Sequence, residues 1–145
     1  MSGSPSPGAA GPASSPMRTQ PAPGTPLVEL EDIGKTYKSG DHSVPVLREV
    51  GLTIRAGEYV AIMGRSGSGK STLMNILGLL DRPTTGSYRF EGREVAALHD
   101  DERSRLRGQV IGFVFQRFHL LPNLDVLRNV ELPMRYSKVS ADERR

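Results

Sequence analysis

Apolar and polar residues alternate along Leu27-Val-Glu-Leu-Glu-Asp-Ile33, the two-residue period of a short strand. Gly34 to Asp41 reads as a loop, with Tyr37 between Lys35 and Lys38. Val44 to Ile54 is a second extended candidate, and Gly57 marks a turn after it. Tyr59-Val-Ala-Ile-Met63 is a largely apolar run, as expected of a strand buried on both faces. From Lys70 to Leu80 the period changes. Leu73, Met74, Ile76, Leu77 and Leu80 recur at helical spacing, which predicts a helix despite Gly78. Pro83 disfavours helix in the residue before it and ends that pattern at Asp81-Arg82.

Thr84-Thr85-Gly86 is a predicted turn, Ser87 to Phe90 a short strand and Glu91-Gly92 another turn. The charged stretch Asp100 to Arg107 predicts a surface helix. Val110-Ile-Gly-Phe-Val-Phe115 is a second buried-strand candidate, closing at Gln116. Pro122 to Asp125 prepares a further helix, with Asn123 or Asp125 as N-cap. No internal repeat is visible.

Composition separates a leader from the patterned part. Residues 1–26 contain 7 Pro, 5 Ser, 4 Gly and 4 Ala, with Arg18 as the single charge. Such a segment cannot bury enough apolar surface to offset its ordering entropy, so 1–26 is expected to be a disordered leader and 27–145 the domain. The leader lacks the apolar centre of a signal peptide, and no run approaches the length of a membrane span. Residues 27–145 carry 18 basic and 16 acidic side chains, which gives no polybasic arm and speaks against a nucleic-acid partner. The absence of cysteine excludes disulfide scaffolds and thiolate metal sites, and the 3 His have no metal-ligand spacing. These features describe a soluble, cytosolic chain.

Between the first buried-strand candidate and the helix lies Gly64-Arg65-Ser66-Gly67-Ser68-Gly69-Lys70-Ser71, a full match to G-x-x-x-x-G-K-[ST]. A strand before and an apolar-faced helix after are the context this phosphate-binding loop requires. Three glycines let the main chain curl so that successive N–H groups point inward. The helix start adds its free N–H groups and the positive end of its dipole. Lys70 supplies a mobile charge for the β- and γ-phosphates, and Ser71 a hydroxyl for Mg²⁺. A simple hairpin turn needs one or two glycines, not three followed by Lys-Ser. Arg65 and Ser66 shape or solvate the crown of the loop.

Further stretches extend the pattern. They are Leu47-Arg-Glu-Val50, Ile54 to Gly64, Ser66 to Leu73 including Thr72, and Leu80-Asp-Arg-Pro-Thr-Thr-Gly86. They continue with Ile111-Gly-Phe-Val-Phe-Gln116, Leu120-Leu-Pro122 and Asn129-Val-Glu-Leu-Pro133. With these the chain resembles the ATP-binding subunits of ABC transporters, most closely the branch serving lipoprotein release, macrolide export and cell division. The resemblance covers Leu27 to about Arg145. It implies an α/β P-loop NTPase nucleotide-binding domain, N-terminal part only, with an antiparallel β subdomain and the start of a helical subdomain.

The resemblance also implies site residues. ATP is held by Tyr37 and by Gly64, Arg65, Ser66, Gly67, Ser68, Gly69, Lys70, Ser71 and Thr72. Mg²⁺ is held by Ser71 and Gln116, and Lys70 and Gln116 have catalytic roles. Tyr37 matches the aromatic residue that stacks on adenine; from the residues alone it reads as an ordinary exposed loop tyrosine. Gln116, whose amide can face both metal and water, matches the residue that senses the γ-phosphate. Phe118, Leu120, Leu121 and Leu124 are either part of a surface for a membrane-spanning permease or ordinary core. The implied protein is a homodimeric, energy-coupling ATPase, peripheral on the inner face of the cell membrane. The competing reading is an ABC-type ATPase of nucleic-acid repair or translation.

The family's signature segment, its apolar strand ending in Asp-Glu and its later His do not occur in these residues. Ile76 to Asp81 imitates that strand but belongs to the predicted helix. The chain therefore reads as the front part of a longer protein, expected to bind nucleotide weakly at most by itself and to be poorly soluble.

Overall fold

The alternation predicted for Leu27–Ile33 is realised in a strand that continues well past it. In a computed structural model of the protein, which describes residues 21–116 and 119–136, β1 spans Pro26–Ser39 and β2 spans His42–Arg55. They form a long antiparallel hairpin closed by Gly40 and Asp41. The stretch expected as a loop from Gly34 is therefore mostly strand. The register shifts between Leu30 and Ile33, between Ile33 and Lys35, and between Lys35 and Thr36. Such bulges let a strand continue where strict alternation fails. Asp32 and Glu49, at φ 51° and 48°, take left-handed backbone beside these irregularities.

On the other side of β1 lies β3 (Thr85–Phe90), followed by the two-residue β4 (Arg93–Glu94). The sheet has the order β2-β1-β3-β4 and is antiparallel throughout. Its buried face is built from cross-strand pairs, Val28 opposite Phe90 and Leu30 opposite Tyr88. Ile33, Leu47, Ile76, Leu79 and Val95 complete the core. Each such side chain contributes about 1.5–3 kcal/mol when fully withdrawn from water.

The helix after the glycine-rich loop, α1, spans Lys70–Leu77. It stops before the predicted Leu80 because Gly78 caps it, its N–H donating to Met74 O at 2.8 Å, and Leu79 then turns left-handed at φ 56°. Two bonds secure that end. The Tyr88 hydroxyl donates to Leu77 O at 2.9 Å, and Arg107 Nη1 donates to Leu79 O at 3.0 Å from α2 (Asp100–Val110).

Two strand expectations are corrected. Tyr59–Met63 and Ile111–Phe115 have no strand pairing among the described residues, and Val110 ends α2 instead of opening a strand. Tyr59 is 97% exposed, and Val114 is fully exposed. A strand buried on both faces needs a hydrogen-bonded neighbour on each edge. The four strands pair only with their neighbours in the antiparallel sheet, and none of these pairings includes the two segments. Residues 1–20 of the expected leader lie outside the described residues. Its last residues join the hairpin: Gly24 N–H donates to Ala56 O at 3.1 Å, and Ala56 N–H to Thr25 O at 2.8 Å.

The chain divides into two compact units at Gln109–Val110. In the second, α3 spans Val126–Tyr136. Of the two N-cap candidates, Asp125 takes the position, its Oδ1 accepting the N–H of Arg128 at 2.8 Å. One turn later Asn129 reaches back. It accepts the Leu121 N–H at 2.9 Å and donates to the carbonyls of Leu121, Leu124 and Asp125 at 3.2, 3.0 and 2.9 Å. Phe113 stacks on Phe115 at 5.4 Å, and His119 meets Phe115 edge-on at 4.9 Å. Leu120 and Leu121 are exposed and Leu124 is half-buried, whereas Phe118 lies outside the described residues.

Candidate nucleotide site

The loop from Gly64 to Ser71 is held by its own lysine. Lys70 Nζ donates to Gly64 O at 2.7 Å and to Arg65 O at 2.6 Å, and lies 3.5 Å from Ser68 Oγ. Ser68 N–H donates to Arg65 O at 3.2 Å, which tightens the crown. The first helical residue is thus tied across the loop to its beginning, and the backbone between them is bent around the ammonium.

Gly69 makes this bend possible. It precedes α1 at φ 86°, ψ 3°, a left-handed conformation that costs a side-chain-bearing residue about 1–2 kcal/mol. A Cβ there would lie 2.7 Å from Leu47 Cδ2 and 3.1 Å from Val46 O, so the loop sits directly on β2. As the residue before the helix, Gly69 offers no side chain to its N–H groups, and no acid occupies the first turn. The positive end of α1 is left for an outside anion.

Beside the loop is an open depression of about 410 Å³, lined by Val46, Ser66, Gly67, Gly69, Lys70, Ser71 and Thr72. Loop residues, the helix start and a lysine thus border one concavity, a chemistry suited to a polyphosphate. No group of three or more His, Asp or Glu side chains gathers among the described residues. A cation there would rely on the Ser71 hydroxyl together with phosphate oxygens, the sparse set of protein ligands that Mg²⁺ accepts. ATP with Mg²⁺ therefore fits the residues present.

Of the predicted site residues, Ser66, Gly67, Gly69, Lys70, Ser71 and Thr72 line the depression, and Gly64, Arg65 and Ser68 join them through Lys70. Tyr37 lies elsewhere, on β1 opposite Val44 near the hairpin tip. Gln116 is exposed in the second unit, after the unpaired Ile111–Phe115 segment.

Val46 was not foreseen, and neither was the cluster around Asp81. The Tyr37 hydroxyl donates to Asp81 Oδ2 at 2.8 Å, and Lys35 Nζ donates to Asp81 Oδ1 at 2.6 Å and to Arg82 O at 2.7 Å. Partial burial alone would raise the Asp81 carboxyl. The hydrogen bonds from Lys35, Tyr37 and the Arg82 N–H outweigh it and hold the group below its ordinary value.

The ABC transporter family model matches residues 47–145. The chain belongs to the ABC transporter family. Its fold is that of an ABC ATP-binding cassette. Against the ATP-binding cassette MJ0796, solved as a dimer in a post-hydrolysis state bound to ADP and Pi, the TM-score is 0.72 at 46% identity. That match covers 81% of this chain and 52% of the other. The ABC transporter ATP-binding protein YvrO of Bacillus subtilis (strain 168) is 54% identical over 119 residues, covering 82% of this chain and 52% of YvrO.

Two fused ABC exporters are similar over the same region. The macrolide export ATP-binding/permease protein MacB of Syntrophobacter fumaroxidans is 56% identical over 111 residues, or 77% of this chain and 16% of MacB. The pyoverdine export ATP-binding/permease protein PvdT of Pseudomonas fluorescens is 57% identical over 121 residues, or 83% of this chain and 18% of PvdT. The ABC chain thus spans about half of YvrO and of MJ0796, and under a fifth of the fused exporters.

Proposed function

We propose that the intact protein is the ATP-binding, energy-coupling subunit of an ABC transporter of the export or lipoprotein-release type. Two such subunits pair and hydrolyse ATP beside a membrane-spanning permease, on the inner face of the cell membrane. The observation that carries this reading is the loop whose lysine bridges its own carbonyls at an acid-free helix start. The export names of MacB and PvdT, and the dimeric state of MJ0796, support transport and pairing. Among the described residues no helix is long and apolar enough to cross a membrane.

In this reading the loop N–H groups and the start of α1 bind the phosphates. Lys70 exchanges its loop carbonyls for β- and γ-phosphate oxygens, so that charge moves toward the ligand without a large chain movement. Ser71 would hold Mg²⁺, with Gln116 as the further ligand that the family resemblance assigns, and the bound ion would neutralise phosphate charge. Gln116 senses the γ-phosphate, and Tyr37 stacks on adenine. Catalysis in this class is mainly positioning and charge stabilisation, and Lys70 and Gln116 contribute to both.

The test is ATP turnover by the intact protein reconstituted with its permease in vesicles. Turnover that falls at least a hundredfold in Lys70→Ala, by the logic of lost charge stabilisation, supports the assignment. Turnover unchanged by Lys70→Ala, or an intact protein that copurifies with no membrane protein, overturns it.

A further inference from the structure

We propose that Lys35 and Asp81 are positioning residues that fix the ring of Tyr37 as the platform for the base of bound ATP. The inference rests on the reading of Tyr37 given above and adds the two groups that make the ring usable. An aromatic side chain at a hairpin tip is a poor platform by itself. Tyr37 is 41% exposed, and a ring on such a residue that swings freely must be ordered by every ligand that stacks on it.

Here the ring is restrained at both ends and on one face. Its backbone is paired with Val44. Its hydroxyl donates to Asp81 Oδ2 at 2.8 Å. The Lys35 ammonium lies 4.8 Å from the ring centroid, within cation–π range, while donating to Asp81 Oδ1 at 2.6 Å. Asp81 therefore holds the ring at its hydroxyl and holds the ammonium on the ring face, one oxygen for each. With that face taken, the opposite face is the one left to stack on a planar partner.

The connection to the phosphate loop is covalent and short. Asp81 follows the end of α1, whose first residue is Lys70. The backbone after α1 is itself pinned, with Leu80 N–H and Asp81 N–H both donating to Asn75 O at 2.8 and 3.1 Å. One helix of about 12 Å thus carries the phosphate grip at its start and the ring anchor just beyond its end. The cluster sets the spacing between the two, and Lys35 cancels the carboxylate charge that would otherwise face a ligand. The separation of 46 positions from Lys35 to Asp81 rules out a local turn interaction.

Calorimetry on the intact protein tests this with two Mg²⁺-loaded probes, ATP and inorganic tripolyphosphate, which shares the phosphates and lacks the base. Tyr37→Leu lowers ATP affinity by about three- to tenfold and leaves tripolyphosphate unchanged. Asp81→Ala and Lys35→Met give the same selective loss, and Tyr37→Phe, which keeps the ring and loses its tether, gives a smaller one. If Tyr37→Leu is selective while Asp81→Ala and Lys35→Met leave the ratio of the two affinities unchanged, the positioning role is overturned and base stacking stands. If Asp81→Ala and Lys35→Met weaken both probes equally, they act through the fold and the proposal is likewise overturned. If Tyr37→Leu itself is not selective, the base-stacking reading fails first. Should Asp81→Ala not fold, Lys35→Met and Tyr37→Phe decide the matter by the same ratio.

Discussion

The Lys70 ammonium lies 2.7 Å from the carbonyl oxygen of Gly64, six residues before it, and this contact closes the phosphate loop into a ring. The partners of Lys70 are main-chain oxygens of an exposed loop, so the ammonium organises the site more than the core. Lys70→Ala is expected to weaken Mg²⁺–ATP binding by about ten- to a hundredfold, the worth of one or two charge-assisted hydrogen bonds. Titration calorimetry reads the affinity. Urea unfolding of the same variant should shift by no more than about 0.5 kcal/mol.

Gly69 and Gly67 both take left-handed backbone, at φ 86° and 79°, but their surroundings differ. A Cβ at Gly67 meets nothing within 4 Å, whereas one at Gly69 presses on Leu47 and the Val46 carbonyl. Gly67→Ala is expected to cost about 1 kcal/mol, from backbone strain alone. Gly69→Ala adds displacement of β2 side chains and is expected to cost about 2–3 kcal/mol. Equal losses in urea melts would show that the loop does not rest on β2.

Burial pushes the Tyr88 hydroxyl up to about 12 from its ordinary 10. The unfolded chain releases this proton first, so the unfolded state binds fewer protons between those two values. Stability from this group is therefore full below pH 10 and is lost as pH rises toward 12. The total is about 3 kcal/mol at most, from two pH units. Denaturant midpoints followed through that window should fall in the native protein. They should fall less in Tyr88→Phe, which also forfeits the bond to Leu77 O.

In the second unit Asn129 joins α3 to the Leu121–Asp125 turn through four hydrogen bonds. Asn129→Ala removes the acceptor of the exposed Leu121 N–H, a loss of about 0.5–1.5 kcal/mol of local stability because water can take its place. Hydrogen exchange at the Leu121 amide is expected to accelerate by about two- to tenfold. Exchange at Tyr88, in the sheet of the first unit, should not change.

The phosphate loop was legible because its chemistry is local. The glycines, the lysine and the helix that follow one another in the chain also meet in space. The α3 cap was legible for the same reason, down to a choice between two neighbours. What failed was pairing at a distance. Gly34–Ser39 carries glycine, lysine and serine that suggest a loop, yet β2 holds most of it in the sheet through bulges that alternation does not encode. The apolar runs at 59–63 and 111–115 announce side chains suited to burial, but a strand forms only when a neighbour supplies hydrogen bonds. Asp81 looked like an imitation of a catalytic carboxylate at the end of a helix. Its contacts with Lys35 and Tyr37 arise from residues more than forty positions away, and nothing in its own neighbourhood signals them.

The register irregularities of β1 have a bearing on how this hairpin tolerates change. Those from Leu30 to Thr36 lie between the inner half, where Val28 and Leu30 face their β3 partners, and the outer half, which carries Tyr37. A one-residue slip in an unbroken ladder would reverse every facing position along its length. With the offsets where they are, an insertion or deletion near Gly40 re-threads only the distal segment, and the proximal one keeps its alignment. The tip can lengthen or shorten across generations while the packed layer beneath it stays the same.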